Sequence, residues 1–155
     1  MSNLDKEIKF LPVNIAIVSI SDTRSLKEDY SGDFLSERIE GSGHHLLERH
    51  MVKDNKKEIK NIIFKLVDNK KVDVVLTTGG TGITGKDLTP EVFKEVLEKE
   101  IPGFGELFRW LSYKKIATST IQSRAMAGVC RGTYLFSLPG SKSACKDAWG
   151  EILVH

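Results

Sequence analysis

The sequence is poor in cysteine and lacks several short motifs that mark common metal and nucleophile sites. Cys130 and Cys145 are its only two cysteines among 155 residues. Two cysteines cannot build a disulfide framework, so we expect reduced thiols and a cytoplasmic location. No CxxC or HExxH motif suggests a zinc site, and no GxSxG motif suggests a hydrolase nucleophile.

An excess of one charge and long apolar runs are missing as well. Lysine and arginine total 23 against 21 acidic residues, a formal net charge of +2, whereas nucleic-acid-binding modules are usually strongly basic. No stretch approaches the roughly 18 apolar residues of a membrane span. Residues 1–13 mix charged and apolar side chains, unlike a signal peptide. We therefore expect neither a nucleic acid nor a membrane as partner.

What the sequence does contain is an alternation of short apolar runs with amphipathic segments. This pattern predicts one domain over residues 1–155, of the α/β class. We expect a three-layer, Rossmann-like, mostly parallel sheet with helices on both faces. The predicted strands are 13–20, 44–52, 72–77 and 133–138, and the predicted helices are 31–39, 54–70, 105–113, 123–129, one capped by Thr89 and one capped by Ser141.

Three polar loops should lie together at the carboxyl edge of this sheet. They are residues 19–25, 77–89 and 138–142, each directly after a predicted strand. Ligands of open α/β sheets bind at this edge, in the loops that lead from strands to helices. The sequence thus places a small-molecule site there.

The loop after the third predicted strand carries the strongest functional pattern. Residues 77–91 read TTGGTGITGKDLTPE, with four glycines within seven residues. Such glycines let backbone amides surround an anion, and the hydroxyls of Thr78 and Thr81 add donors. The spacing fits neither a Walker loop, because Asp87 follows Lys86, nor GxGxxG. A plain tight turn is the simpler alternative.

Two aspartates would stand beside this anion-binding loop. Asp87 lies within it, and Asp54 follows the second predicted strand. Carboxylates near phosphates need a cation between them, and Mg²⁺ bound by one or two carboxylates and by phosphate oxygens meets that need. The alternative for each aspartate is an ordinary helix cap.

Two further polar segments are ambiguous. After Gly140, Ser141 can cap the last helix or, with Lys142, bind a phosphate. Arg124, at the end of the polar stretch 119–124, either reaches the pocket or belongs to a surface loop.

Thr78-Gly79-Gly80-Thr81-Gly82 followed by Asp87-Leu88-Thr89-Pro90-Glu91 resembles the MoaB/Mog family of molybdenum cofactor biosynthesis proteins, to which the G domain of gephyrin is related. Residues 102–106, 119–125 and 139–142 also agree, and the resemblance covers nearly the whole chain. Residues 111–124 and 144–149 are more similar to the MoaB branch.

The resemblance implies a function and a set of site residues. Mog-type members bind molybdopterin and, with Mg²⁺ and ATP, adenylylate its terminal phosphate. It implies that Asp87 and Asp54 are catalytic and bind the metal. It assigns molybdopterin and phosphate binding to Thr78, Gly79, Gly80, Thr81, Gly82, Lys86, Ser119, Ser123, Gly140, Ser141 and Lys142. Lys86 replaces the arginine common in the family, which loses bidentate phosphate geometry.

The resemblance also implies partners, and it leaves other functions open. It implies a homotrimer or homohexamer and a downstream metal-insertion protein. One alternative is a non-catalytic molybdopterin-binding carrier of the MoaB branch. Another is an unrelated phosphosugar or nucleotide enzyme on a Rossmann-like sheet. The CinA-type loop, GGLGPT…DD, differs from Gly80-Thr81-Gly82.

Overall fold

A six-stranded sheet forms the centre of the computed structural model, which describes residues 9–155. The strands are β1 Asn14–Ile20, β2 His45–Val52, β3 Val74–Thr78, β4 Lys99–Glu100, β5 Met126–Cys130 and β6 Thr133–Leu138. Their order in the sheet is β2-β1-β3-β6-β5-β4. The pairs β1–β2, β1–β3 and β3–β6 are parallel. The strands β5 and β4 pair antiparallel at one edge, so the predicted mostly parallel sheet is confirmed.

Five helices cover the two faces of this sheet. They are α1 Tyr30–Gly41, α2 Lys56–Asp68, α3 Thr89–Val96, α4 Pro102–Ile116 and α5 Lys142–Ala148. Helices α2 and α3 pack in one hydrophobic core, and α1, α4 and α5 pack in the other. The expected three layers are therefore present. Among the described residues, none of the helices combines the length and apolar character needed to cross a membrane.

The helix predicted at residues 123–129 is wrong, because Met126–Cys130 forms β5. This strand pairs with β6 through a two-residue connection, in which Arg131 and Gly132 have positive φ angles of 51° and 85°. Two such residues suit a tight hairpin turn. The ladder of hydrogen bonds to a strand later in the chain therefore overrides the local helical pattern.

The helix predicted at residues 105–113 begins earlier than expected. In the sequence, Pro102-Gly103 is typical of a break between helices, which suggests that the next helix starts near residue 105. Instead, Pro102 is the first residue of α4, where its missing N–H leaves no hydrogen bond unmade.

Candidate functional site

A cavity of about 670 Å³ opens at the carboxyl edge of the parallel strands. Loops 19–24, 78–82 and 139–141, which follow β1, β3 and β6, line it together with Met51 and Asp54 at the end of β2. Side chains of α4 and α5 form the opposite wall. The predicted convergence of three loops at this edge is confirmed.

The glycine loop leaves β3 in a path that only glycine can follow. Gly79 and Gly80 have φ angles of +106° and +66°. A Cβ on Gly79 would lie 2.2 Å from the carbonyl oxygen of Ile20, and one on Gly80 would lie 2.3 Å from Thr89 Oγ1. The loop therefore runs tightly between the end of β1 and the start of α3, and this close packing needs glycine at both positions.

Thr89 holds the glycine loop instead of capping a helix. Its hydroxyl donates to the carbonyl oxygen of Gly79 at 3.0 Å, and its N–H donates to that of Gly80 at 3.1 Å. Leu88 occupies the N-cap position, so α3 begins with Thr89 itself. The predicted N-cap at Thr89 is wrong, since loop contacts occupy its hydroxyl.

Asp54 faces the glycine loop, and the next residue, Asn55, caps α2 in its place. Asn55 Oδ1 accepts from the N–H groups of Lys57 at 2.9 Å and Glu58 at 3.2 Å, which rules out the capping alternative for Asp54. Asp54 Oδ1 accepts from the N–H of Leu88 at 3.0 Å. Its Oδ2 lies 2.9 Å from where a Cβ on Gly80 would be.

Burial raises the pKa of Asp54, and the neighbouring carboxylates raise it further. The hydrogen bond from Leu88 acts to lower this pKa. It does not outweigh burial and the negative charges of Asp87, Asp22 and Glu91, which raise it. A cation placed among these carboxylates would relieve their repulsion.

Asp87 approaches the loop from the other side, beside Gly82. A Cβ on Gly82 would lie 2.7 Å from Asp87 Oδ2. That oxygen accepts from the N–H of Thr84 at 2.8 Å and from its hydroxyl at 2.6 Å. Burial acts to raise the pKa of Asp87, but hydrogen bonds from Thr84 and Gly82 and the charge of Arg124 outweigh burial and lower it. Asp87 does not cap α3, and its lowered pKa keeps it ionised at neutral pH.

Asp22, which the sequence analysis missed, adds a third carboxylate to the cavity wall. It follows β1, and its Oδ1 accepts from the N–H of Asp54 at 3.0 Å. Its Oδ2 lies 3.4 Å from Nζ of Lys86. The signal was its position in the polar loop 19–25, at the edge where the ligand was expected.

The carboxylates do not by themselves form a complete metal site. Within residues 9–155, no group of three histidine, cysteine, aspartate or glutamate side chains converges as such a site does. Asp54 and Asp87 nevertheless offer hard oxygen donors beside Gly80 and Gly82 of the glycine loop. That donor set fits Mg²⁺, which takes its remaining ligands from water and phosphate.

The loop after β6 is tied to the glycine loop and to α1. Thr78 Oγ1 donates to the carbonyl oxygen of Pro139 at 3.0 Å, and Ser31 Oγ donates to that of Gly140 at 2.9 Å. Ser141 Oγ accepts from the N–H of Ala144 at 3.1 Å, so its predicted role as the cap of α5 is confirmed. These contacts fix one wall of the cavity.

Most of the sequence-predicted binding residues line this one cavity. Those that do are Asp54, Thr78, Gly79, Gly80, Thr81, Gly82, Asp87, Ser123, Gly140 and Ser141. Lys86, Ser119 and Lys142 are exposed and do not line it. Ser123 Oγ is buried and has no hydrogen-bond partner among the described residues. Ligand binding by each of these residues stays a prediction.

A buried ion pair supports the β1 side of the cavity. Asp29 caps α1 by accepting from the N–H of Gly32 at 3.0 Å. Its other oxygen accepts from Ser19 Oγ at 2.5 Å and from Arg49 Nη2 at 2.9 Å. Burial acts to raise the pKa of Asp29, but these hydrogen bonds outweigh burial and lower it. The network joins β1, α1 and β2 under the cavity.

These features define an α/β protein with a glycine loop beside carboxylates at the carboxyl edge of its sheet. The chain belongs to the family described as "Probable molybdopterin binding domain", whose model matches residues 16–155. The resemblance to the MoaB/Mog family is thereby confirmed.

Individual relatives match over nearly their full length. Molybdenum cofactor biosynthesis protein B of Escherichia coli (strain K12) is 42% identical over 153 residues, covering 99% of this chain and 89% of that protein. A protein of Methanocaldococcus jannaschii named "Probable molybdopterin adenylyltransferase" is 37% identical over 157 residues, with 92% and 93% covered. A crystal structure of a molybdenum cofactor biosynthesis protein B matches with a TM-score of 0.90 and 42% identity, over 93% of this chain and 90% of that one.

Proposed function

We propose that this protein acts in molybdenum cofactor biosynthesis, where it binds molybdopterin and transfers the adenylyl group of ATP to its terminal phosphate. The observation that carries the proposal is the glycine loop with Asp54 on one side and Asp87 on the other, open to a 670 Å³ cavity. The transferase name of the Methanocaldococcus jannaschii relative supports it.

The binding chemistry follows from the loop and its neighbours. The N–H of Gly79 donates to the carbonyl oxygen of Leu138 at 3.0 Å, and that of Gly82 donates to the Asp87 carboxylate. The N–H groups of Gly80 and Thr81 are therefore the ones we propose for phosphate oxygens, because glycine allows close approach. Thr78 acts indirectly, since its hydroxyl is bonded to the carbonyl oxygen of Pro139.

Catalysis by this chain consists mainly of positioning and charge compensation. An oxygen of the molybdopterin phosphate attacks the α-phosphorus of ATP, and the bond to the bridging oxygen breaks to release pyrophosphate. Asp54 and Asp87 would hold Mg²⁺, which when bound offsets the charge of the phosphates. The amides of Gly80 and Thr81 would keep the phosphates in place.

The test compares Asp87→Asn and Asp54→Asn with wild type. We expect transfer, measured as pyrophosphate release with molybdopterin, ATP and Mg²⁺, to fall at least about 100-fold, since each change removes a carboxylate that would hold the Mg²⁺ needed to balance phosphate charge. Asp68→Asn is the matched control, because Asp68 is exposed and pairs with Arg131 away from the cavity. An Asp87→Asn protein with wild-type transfer would refute the assigned role.

A non-catalytic carrier of molybdopterin is the second candidate. The names of several relatives, such as the one from Escherichia coli, state no transferase activity. Molybdopterin binding by the wild type without release of pyrophosphate would favour the carrier over the enzyme.

We further propose the setting in which this protein works. It is a single cytoplasmic domain over residues 1–155, assembles as a homotrimer or homohexamer, and passes its product to a metal-insertion protein. Exposed apolar side chains on and after α4 support self-association: Leu107, Trp110, Tyr113, Ile116 and Ile121.

A further inference from the structure

Arg124 connects the segment before β5 to both ends of the exposed part of the glycine loop. Its Nε donates to the carbonyl oxygen of Gly82 at 2.7 Å, and its Nη2 donates to that of Asp87 at 2.6 Å. Its third nitrogen, Nη1, pairs with Glu91 Oε1. Arg124 does not line the cavity, so it acts on the loop backbone and not on a ligand.

The loop between these two carbonyl groups has few other anchors. Residues 83–86 are exposed. Their hydrogen bonds mostly stay inside the loop. The N–H of Asp87 donates to the carbonyl oxygen of Thr84, and the N–H of Thr84 donates to Asp87 Oδ2. The N–H of Lys86 donates to Thr84 Oγ1. Within the described residues, the one other hydrogen bond from 83–86 outside the loop joins Lys86 Nζ to Asp22 at 3.4 Å. Besides the bond from the N–H of Gly82 to the Asp87 carboxylate, the guanidinium is therefore the main contact that ties the two ends of this loop together.

From this arrangement we infer that Arg124 is a positioning residue, which fixes loop 82–87 so that Asp87 stays beside Gly82 and the cavity. A planar guanidinium can donate to two carbonyl oxygens and a carboxylate at once, whereas the ammonium of lysine is a point charge without this fork. The effect of Arg124 on activity rests on the proposed function, whereas the effect of Arg124 on the loop does not.

Glu91 is the third hydrogen-bond partner of the Arg124 guanidinium. It lies in the first turn of α3, and its pairing with Arg124 directs the guanidinium toward the loop. Burial acts to raise the pKa of Glu91, but the hydrogen bond from Arg124 outweighs burial and lowers it. Glu91 therefore stays charged and keeps Arg124 in place.

The loop is tested first in the protein without substrates. Hydrogen–deuterium exchange of the amides of residues 82–88 is compared among wild type, Arg124→Gln, Arg124→Lys and Arg131→Gln. Arg131 is the matched control, because it also forms an ion pair, with Asp68, but lies in the β5–β6 turn. We expect exchange of these amides to rise about 10-fold or more in Arg124→Gln, partly in Arg124→Lys, and not in Arg131→Gln.

The second measurement is pyrophosphate release at saturating and limiting ATP. Displacement of Asp87 should lower kcat by roughly 100-fold, the size expected for a misplacement of about 1 Å, with a smaller change in KM. Molybdopterin affinity should fall less than kcat, because the backbone at Gly79 and Gly80 is held independently by hydrogen bonds to Thr89 and Leu138.

The outcomes separate the two proposals. Unchanged loop exchange in Arg124→Gln overturns the positioning role, and so does an Arg124→Lys protein equal to wild type, because charge alone would then suffice. Faster loop exchange in a protein whose wild type releases no pyrophosphate supports the positioning role and refutes the transferase. If Arg124→Gln does not fold, Arg124→Lys and Glu91→Gln carry the same comparison, with loop exchange again decisive.

Discussion

At the scale of single residues, Asp29 shows how the cavity depends on a side chain beneath it. Its carboxylate is 4% exposed and accepts hydrogen bonds from Ser19, Gly32 and Arg49. Arg49 would keep its ion pair with Asp33 if Asp29 were changed, so the loss is that of hydrogen bonds to a charged acceptor, which contribute about 1.5–3 kcal/mol.

We therefore expect Asp29→Asn to lower the free energy of unfolding by about 2 kcal/mol at neutral pH. Asp33→Asn is the matched control, since Asp33 pairs with the same arginine but is half exposed, and it should cost less than about 1 kcal/mol. Denaturant unfolding of both variants measures the difference. Equal losses would contradict a special role for the buried carboxylate.

The pH dependence of this contribution follows from the lowered pKa of Asp29. A carboxyl group whose pKa is lower in the folded state contributes stability above its unfolded pKa, and this contribution disappears as pH falls through the folded value. The stability difference between wild type and Asp29→Asn should thus be full at neutral pH and shrink in acid. A difference that grows in acid would contradict the assignment.

The sequence predicted the two flanking aspartates because each lies next to a recognisable local feature. Asp87 lies in the glycine loop, and Asp54 follows an apolar strand, so their common edge follows from parallel topology. Asp22 follows an apolar strand in the same way and could have been found by the same rule. The clamp by Arg124 could not, because it depends on a contact 42 positions away in the chain, and no spacing rule reveals such a contact.

At the scale of elements, the glycine loop is shaped by the backbone it touches. Gly79 has positive φ, and its missing Cβ leaves room for the carbonyl oxygen of Ile20. Gly85, in the same loop, has no positive φ, and a Cβ added there would meet nothing within 4 Å. The two glycines thus have different reasons to be present.

Gly79→Ala should lower the free energy of unfolding by at least about 2 kcal/mol, since left-handed backbone alone costs a non-glycine residue roughly 1–2 kcal/mol. Gly85→Ala should change stability by less than about 0.5 kcal/mol. Thermal unfolding of both proteins checks the contrast. A well-tolerated Gly79→Ala would show that the loop can move away from β1.

Predictions of whole elements succeeded where a local pattern agreed with the tertiary contacts. In α2, the stripe Ile59, Ile62, Ile63, Leu66 and Val67 lies inside the core, as its helical spacing predicted. The pattern failed at β5, whose partner strand follows a hairpin turn. Small residues such as Ala127 and Gly128 carry little strand preference, and Gly128 is instead needed where a Cβ would meet the carbonyl oxygen of Lys99 at 2.4 Å.

At the scale of the whole molecule, α4 has one face that this chain alone leaves uncovered. Trp110 is 59% exposed and Tyr113 57% exposed, although both carry large apolar areas whose burial would be favourable. Contiguous exposed apolar side chains usually mark an interface.

We expect Trp110→Glu to shift the protein to a smaller assembly, because a buried carboxylate without a partner opposes association. Light scattering coupled to size exclusion measures the mass. Lys99→Glu, on the short edge strand β4, is the control for added negative charge and should leave the mass unchanged. A wild type that is already monomeric would contradict the proposed oligomer.

The hydrogen bond from Ser31 to the carbonyl oxygen of Gly140 joins positions 109 residues apart. During synthesis on the ribosome, the first loops of the site emerge long before the segment after β6, so the cavity wall can close only once that segment has been made. Shorter chains consequently offer no finished site to compete for substrate. A ligand that binds the closed cavity stabilises the fold by mass action, and its binding energy protects the nascent protein only after the segment that follows β6 has been made.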